Sequence, residues 1–80
     1  MTRILLVEDE MLVRELAFDD LSAAGFEVVA ATHGDEALRI LADDRGFDLL
    51  FTDIRMPGEL DGWELAARAK QLIPGLKVVF

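Results

Sequence analysis

The sequence of 80 residues contains no cysteine, no long hydrophobic run and few basic residues. The lack of cysteine excludes both a disulfide framework and a metal site built from thiolates. The apolar run near the amino terminus ends at Val7 and is too short for a signal peptide or a membrane span. We therefore expect a cytoplasmic chain that makes no contact with a membrane.

Acidic residues outnumber basic residues by 16 to 8, which gives a formal net charge of −8. Nucleic acids and anionic lipids are bound mainly through Lys and Arg, so this balance works against direct contact with either. The pairs Asp19-Asp20 and Asp43-Asp44 are expected on solvated helix surface. Glu8-Asp9 is a different case, because this pair directly follows an apolar run.

Hydrophobic residues make up 52% of the chain and change their period along it. Continuous apolar runs predict strands over residues 3–7, 26–31, 47–53 and 76–80. Helical spacing predicts a helix after each of the first three strands, the third of them over residues 62–73. The apolar residues Val13, Leu16, Ala17, Leu21 and Ala24 fall on one face of the first predicted helix, and Gly25 supplies its stop.

This alternation of strands and helices predicts the fold class. Units of this length join parallel strands by right-handed crossovers, with helices on both faces of the sheet. We therefore expect an α/β fold with a doubly wound parallel sheet. No repeat, low-complexity segment or linker interrupts residues 1–80, so the chain is interpreted as one domain with a small core.

The stretch LLFTDIRMPG, residues 49–58, places Asp53 between a strand and a turn. Aspartate is a poor strand residue, and at the end of a buried apolar run its carboxylate must meet water, a hydrogen-bond donor or a cation. Two interpretations are open on this evidence. Asp53 either caps the turn that follows or belongs to a binding site at the end of the strand.

Glu8 and Asp9 occupy the equivalent position after the first predicted strand. Ligands of doubly wound sheets bind beyond the carboxyl ends of the strands, and neighbouring strands lie about 4.8 Å apart. If the first and third strands are neighbours, the three carboxylates converge and must take up protons or share a cation. Hard oxygen ligands with open water positions suit Mg²⁺ best. In such a site Asp53 is placed to attack a phosphoryl group.

Five segments of the chain together resemble the receiver domain of two-component response regulators. In order they are ILLVEDE, VRELAFDDLSAAGFEV, GDEAL, DLLFTDIRMPG and DGWEL. The resemblance extends over essentially all of the chain. It implies a flavodoxin-like sheet with strand order 2-1-3-4-5, of which these residues supply about the first four strands and three helices.

The resemblance also implies a role for each site residue. Asp53 would be phosphorylated by a sensor histidine kinase or a phosphotransfer protein, and phosphorylation would switch the conformation to control an output. Asp9 would bind Mg²⁺ directly, whereas Glu8 would act mainly through bound water or by keeping the pocket acidic. The backbone carbonyl of Arg55 would be a further metal ligand, so the implied metal site comprises Glu8, Asp9, Asp53 and Arg55.

The sequence departs from the family pattern in two places. MPGELDG carries one residue more than usual between Pro57 and Gly62, which we expect the loop to absorb. The sequence ends at Phe80, within the fourth predicted strand, so the family's Ser or Thr after that strand and its Lys after the fifth are not among these residues. We expect exposed apolar sheet surface and an open strand edge, and therefore self-association of the 80-residue chain.

Two other functions compete with the phosphoacceptor interpretation. A Mg²⁺-dependent aspartyl-phosphate phosphatase of the haloacid dehalogenase type also starts from an aspartate at a strand end. That class needs a second Asp two positions later, where this chain has Arg55. A receiver-like interaction module that is never phosphorylated would not need Glu8, Asp9 and Asp53, which are all present. We therefore expect a signalling domain that is not a turnover enzyme.

Three other polar or aromatic residues are interpreted structurally. His33, the only histidine, is expected in an exposed loop. Trp63 is expected to be a partly exposed packing residue at the start of the third helix. Thr52 is expected to be a strand residue rather than a participant in the chemistry.

Overall fold

The computed structural model describes residues 1–53 and 60–80, in which strands and helices alternate. The strands are β1 (Arg3–Val7), β2 (Glu27–Ala31), β3 (Leu49–Thr52) and β4 (Lys77–Val79). The helices are α1 (Met11–Ala23), α2 (Gly34–Asp43) and α3 (Gly62–Leu72). The predicted types and order of these elements are confirmed; β1 has the predicted bounds, and the other three strands differ from the prediction by one or two residues at their ends.

The strands form a parallel sheet in the order β2-β1-β3-β4. This is the first part of the strand order that the resemblance implied. β1 therefore lies between β2 and β3, and its last residue, Val7, is in register with Ala31 on one side and Thr52 on the other. Because the strands are parallel, β1 and β3 end side by side, so Glu8 and Asp53 leave the sheet at the same edge.

The main core lies on the sheet face that α2 and α3 cover. Leu5 and Leu50 of the sheet pack there with Leu41 of α2 and Leu65 of α3, and all four side chains are fully buried. Full burial of a leucine stabilises a fold by about 2 kcal/mol. This layer therefore holds the strand ends in a fixed relation to one another.

Helix α1 packs on the opposite face of the sheet, and only part of its predicted apolar face is buried. Ala17 and Leu21 are half-buried, whereas Val13 is 45% exposed and Leu16 is 66% exposed. Ala24 lies beyond the helix and is exposed. The reason is that none of the residues in 1–53 and 60–80 packs over the side of α1 that carries Leu16.

In this part of the chain no helix is long and apolar enough to cross a membrane.

His33 lies in the turn before α2, as predicted, but the prediction that it is exposed was wrong. His33 is half-buried and is the N-cap of α2, where its Nδ1 accepts a hydrogen bond of 3.2 Å from the Glu36 N–H. The Glu36 carboxylate in turn accepts a bond of 2.9 Å from the Thr32 N–H. This arrangement resembles a capping box, except that a ring nitrogen replaces the usual hydroxyl and Glu36 bonds the residue before the N-cap.

Trp63 and Thr52 occupy the structural positions that were predicted. Trp63 lies in the first turn of α3 and is 60% exposed, and its ring centroid lies 4.6 Å from that of Phe80. Thr52 is the last residue of β3 and is fully buried.

Arg3 ties together elements at the opposite edge of the sheet from Glu8 and Asp53. Its guanidinium pairs with the carboxylates of Glu27 and Asp44, the latter at 2.9 Å, and lies 4.4 Å above the centroid of the Phe47 ring. Its backbone N–H donates to the Asp48 carboxylate at 2.8 Å. The hydrogen bond from Arg3 lowers the pKa of the Asp44 carboxyl below its ordinary value.

Candidate functional site

Three carboxylates converge at the edge where β1 and β3 end. Glu8 and Asp9 follow β1, Asp53 follows β3, and one oxygen from each lies within 4.8 Å of the other two. The predicted convergence of these side chains is therefore confirmed. Its cause is the strand order, because β1 and β3 are neighbours whose ends are in register.

The three carboxylates differ in their access to solvent. Glu8 is only 8% exposed, and its backbone N–H extends the pairing of β1 with β2 by donating to the Ala31 carbonyl at 3.1 Å. Asp9 and Asp53 are both exposed. Of the three, Glu8 is therefore held inside the protein, while Asp9 and Asp53 can meet a ligand that arrives from solvent.

Glu8 is destabilised as an anion. Burial raises the pKa of the Glu8 carboxyl above its ordinary value, and the charges of Asp9, Asp53 and Glu10 raise it further. The backbone hydrogen bond from Asp9 acts in the opposite direction but is the smallest of these causes. A bound cation would relieve this repulsion, because it would attract all three carboxylates at once.

A pocket of about 200 Å³ opens beside the carboxylates on the α1 side of the sheet. The polar residues in its lining are Glu8, Thr52 and Asp53. Most of the remaining wall is apolar and includes Leu6, Val13 and Phe51. Asp53 therefore lies where a cavity meets solvent.

Two further residues fix the backbone around this site. The Thr52 hydroxyl donates to the Asp53 carbonyl oxygen at 3.1 Å. Arg14, in the first turns of α1, donates from Nη1 to the Glu8 carbonyl oxygen at 3.0 Å. Sequence reasoning assigned no role to Arg14, although this basic residue lies shortly after the acidic pair. Arg55, whose carbonyl was predicted to be a metal ligand, lies outside the described residues.

The family described as the response regulator receiver domain matches residues 4–80. The chain belongs to this family. The resemblance seen in the sequence is therefore confirmed. The receiver family also accounts for Glu8, Asp9 and Asp53 better than the haloacid dehalogenase type of phosphatase does. That class needs a second aspartate where this chain has Arg55.

Individual relatives extend the comparison. The chain is 44% identical over 80 residues to the response regulator receiver protein CpdR of Brucella abortus, covering all of this chain and 65% of that protein. A receiver domain protein from Clostridium thermocellum superposes with a TM-score of 0.91 at 29% identity, covering 98% of this chain and 62% of that one. The chain thus spans less than two thirds of the length of these proteins.

A third relative is described together with ligands. The response regulator TrrA of Thermotoga maritima superposes with a TM-score of 0.89 at 37% identity, covering 98% of this chain and 66% of that one. TrrA has been solved in complex with Mg²⁺ and BeF and also in complex with the histidine kinase ThkA. These neighbours confirm the flavodoxin-like receiver fold of the four strands and three helices described above.

Proposed function

We propose that residues 1–80 form part of a receiver domain in which Asp53 accepts a phosphoryl group and thereby controls an output. The observation that carries this proposal is the convergence of Glu8, Asp9 and Asp53 within 4.8 Å at the carboxyl edge of a parallel sheet. Asp53 is exposed at that edge and borders a pocket, so an incoming donor can reach its carboxylate. Glu8 is too deeply buried to compete as the acceptor.

The donor set fits Mg²⁺. Three carboxylate oxygens within 4.8 Å offer hard ligands on one side and leave the solvent side free for water. In this proposal Asp9 and Asp53 hold the ion directly, Glu8 acts mainly through bound water, and the Arg55 carbonyl completes the protein ligands. When bound, Mg²⁺ supplies positive charge that neutralises the phosphoryl oxygens. This assignment is supported by TrrA, a relative of 37% identity that has been solved in complex with Mg²⁺ and BeF.

The proposed reaction is a single displacement at phosphorus. A carboxylate oxygen of Asp53 attacks in line and forms the new O–P bond, while the bond from phosphorus to the donor breaks and its electron pair leaves with the donor. The product is an acyl phosphate on Asp53. The chain is itself the acceptor in this step, so it acts as a signalling component and not as an enzyme with turnover.

The proposed phosphodonor is a sensor histidine kinase or a phosphotransfer protein in the cytoplasm. The TrrA complex with ThkA supports a kinase as the partner, because it shows that a relative with this fold binds one. The net charge of −8 supports the further proposal that these residues do not contact nucleic acid or a membrane surface directly.

Chemical trapping tests this proposal in the protein that carries these residues at its natural length. After incubation with Mg²⁺ and a small phosphodonor or a histidine kinase, borohydride reduction converts an aspartyl phosphate to a stable product that mass spectrometry can locate. We expect the modification at Asp53 and its loss in Asp53→Asn. Asp48→Asn is the matched control, because Asp48 lies at the other end of β3. Modification that persists in Asp53→Asn contradicts the proposal.

A further inference from the structure

Arg14 is the one described basic residue in hydrogen-bond contact with the turn that carries Glu8 and Asp9. Its Nη1 lies 3.0 Å from the Glu8 carbonyl oxygen and 3.5 Å from the Asp9 carbonyl oxygen. The first distance is an ordinary hydrogen bond, whereas the second is at the outer limit for one. The contact with the Glu8 carbonyl is partly buried, so water competes for it less than it would at an open surface, whereas the contact with the Asp9 carbonyl is exposed.

The turn has few other constraints. The Glu8 N–H is fixed by its bond to the Ala31 carbonyl, but among the described residues Glu10, the N-cap of α1, makes no capping hydrogen bond through its side chain. The contact from Arg14 therefore fixes the carbonyl side of Glu8, while β2 fixes its amide side. The peptide that joins Glu8 to Asp9 is planar, so holding the Glu8 carbonyl also sets the direction in which the chain enters Asp9.

Arg14 contacts backbone carbonyl oxygens of the turn and not its carboxylates. Among residues 1–53 and 60–80, it forms no ion pair with Asp or Glu. Its positive charge therefore does not occupy the acidic site. Two possible effects of Arg14 on a metal ion can therefore be tested separately, namely the geometry of the turn and the positive charge, which would repel a cation.

We propose that Arg14 is a positioning residue for the metal site, holding the Glu8–Asp9 peptide so that both carboxylates face Asp53. The inference rests on the proposed function, since it concerns the affinity of this site for Mg²⁺. Groups that orient metal ligands typically change metal affinity by about 10-fold to 100-fold when they are removed. Because Arg14 acts through backbone carbonyls, we expect the lower end of that range.

The sign of the effect distinguishes positioning from charge. If Arg14 acted only through its charge, Arg14→Ala would strengthen Mg²⁺ binding, because it would remove a nearby cation. If Arg14 positions the turn, Arg14→Ala weakens Mg²⁺ binding by about tenfold in spite of the lost repulsion. Arg14→Lys keeps the charge but loses the planar fork of donors, so its affinity should lie between those of the wild type and Arg14→Ala.

The experiment is a titration with MgCl₂ of the protein at its natural length, without phosphodonor, followed by the amide chemical shifts of Asp9 and Asp53. Arg39→Ala is the matched control, because Arg39 is an exposed arginine on α2 and its removal changes the net charge equally. We expect Arg39→Ala to bind Mg²⁺ as the wild type does. Amide spectra recorded without metal establish that each variant is folded.

Two results would overturn the inference. The first is binding by Arg14→Ala that is as tight as in the wild type or tighter. The second is a loss in Arg39→Ala equal to that in Arg14→Ala. Should Arg14→Ala not fold, Arg14→Lys decides by itself, because wild-type affinity in that variant contradicts a positioning role. A wild-type protein that binds no Mg²⁺ would instead contradict the metal assignment in the proposed function.

Discussion

Removal of the buried charge at Glu8 should stabilise the metal-free protein. Glu8 is 8% exposed and lies beside Asp9 and Asp53, so its anion is opposed both by burial and by like charges. Glu8→Gln keeps the size and shape of the side chain but removes the charge. We therefore expect this variant to have a higher free energy of unfolding than the wild type at neutral pH without metal.

The distances within the site give the size of the repulsion between like charges, which is one part of this effect. Carboxylate oxygens of Glu8, Asp9 and Asp53 lie within 4.8 Å of one another. Two unit charges at this separation repel by about 1 kcal/mol in water and by about 3 kcal/mol at an effective dielectric constant of 20. Because Asp9 and Asp53 are exposed, we use the value for water. The two pairs, Glu8 with Asp9 and Glu8 with Asp53, together give a repulsion of about 2 kcal/mol. In a domain of this size that is a rise in Tm of about 10 °C.

Thermal and chemical unfolding in EDTA measure the difference directly. Glu15→Gln is the control, because it makes the same chemical change at an exposed position on α1. Addition of Mg²⁺ should then stabilise the wild type more than Glu8→Gln and so narrow the gap, since an ion stabilises the folded state that binds it. A metal-free Glu8→Gln variant that is no more stable than the wild type refutes the repulsion on which this reasoning depends.

Three further predictions concern pH, metal and association. The folded chain holds the Glu8 proton more tightly than the unfolded chain does, so metal-free stability should rise as the pH falls from 7 toward 4.5, the ordinary value for Glu8. Below pH 3.8, the ordinary pKa of Asp44, stability should fall because protonation breaks the contact of Asp44 with Arg3. Denaturant titrations at each pH measure both the rise and the fall in stability, and a stability that does not change with pH contradicts both. Asp9→Ala should weaken Mg²⁺ binding in a titration followed by amide shifts, and unchanged affinity would exclude Asp9 as a ligand. Sedimentation of the 80-residue chain at micromolar concentration should show self-association, because the apolar surface around Leu16 is exposed. Leu16→Glu should reduce this self-association, and a wild-type chain that is a stable monomer would contradict the prediction.

The elements of the fold could be predicted because their sequence signals are local. A strand buried on both faces is a continuous apolar run, and Arg3–Val7 was predicted with its observed bounds. The burial of α1 could not be predicted in the same way. The apolar spacing of Leu16 indicates a helix face, but whether that face is covered depends on what packs against it in three dimensions.

The acidic site was predictable only in part. The sequence places Glu8, Asp9 and Asp53 after strands, but their convergence requires β1 and β3 to be neighbours, and the strand order came from the family resemblance. The contact of Arg14 with the Glu8 carbonyl had no sequence signal, because it depends on the path of the turn. The capping role of His33 was missed because Ser, Thr, Asp and Asn are the usual N-cap residues.

The most direct test of the central claim is the mass of the intact protein after incubation with a small phosphodonor such as acetyl phosphate. With Mg²⁺ present, the wild type should gain the mass of one phosphoryl group, and the gain should be lost in EDTA, in Asp53→Asn and on mild alkaline treatment, which hydrolyses acyl phosphates. Asp48→Asn should still gain it. A wild-type protein that gains no mass with Mg²⁺, or an Asp53→Asn variant that gains as much as the wild type, would contradict the assignment of Asp53 as the phosphoacceptor.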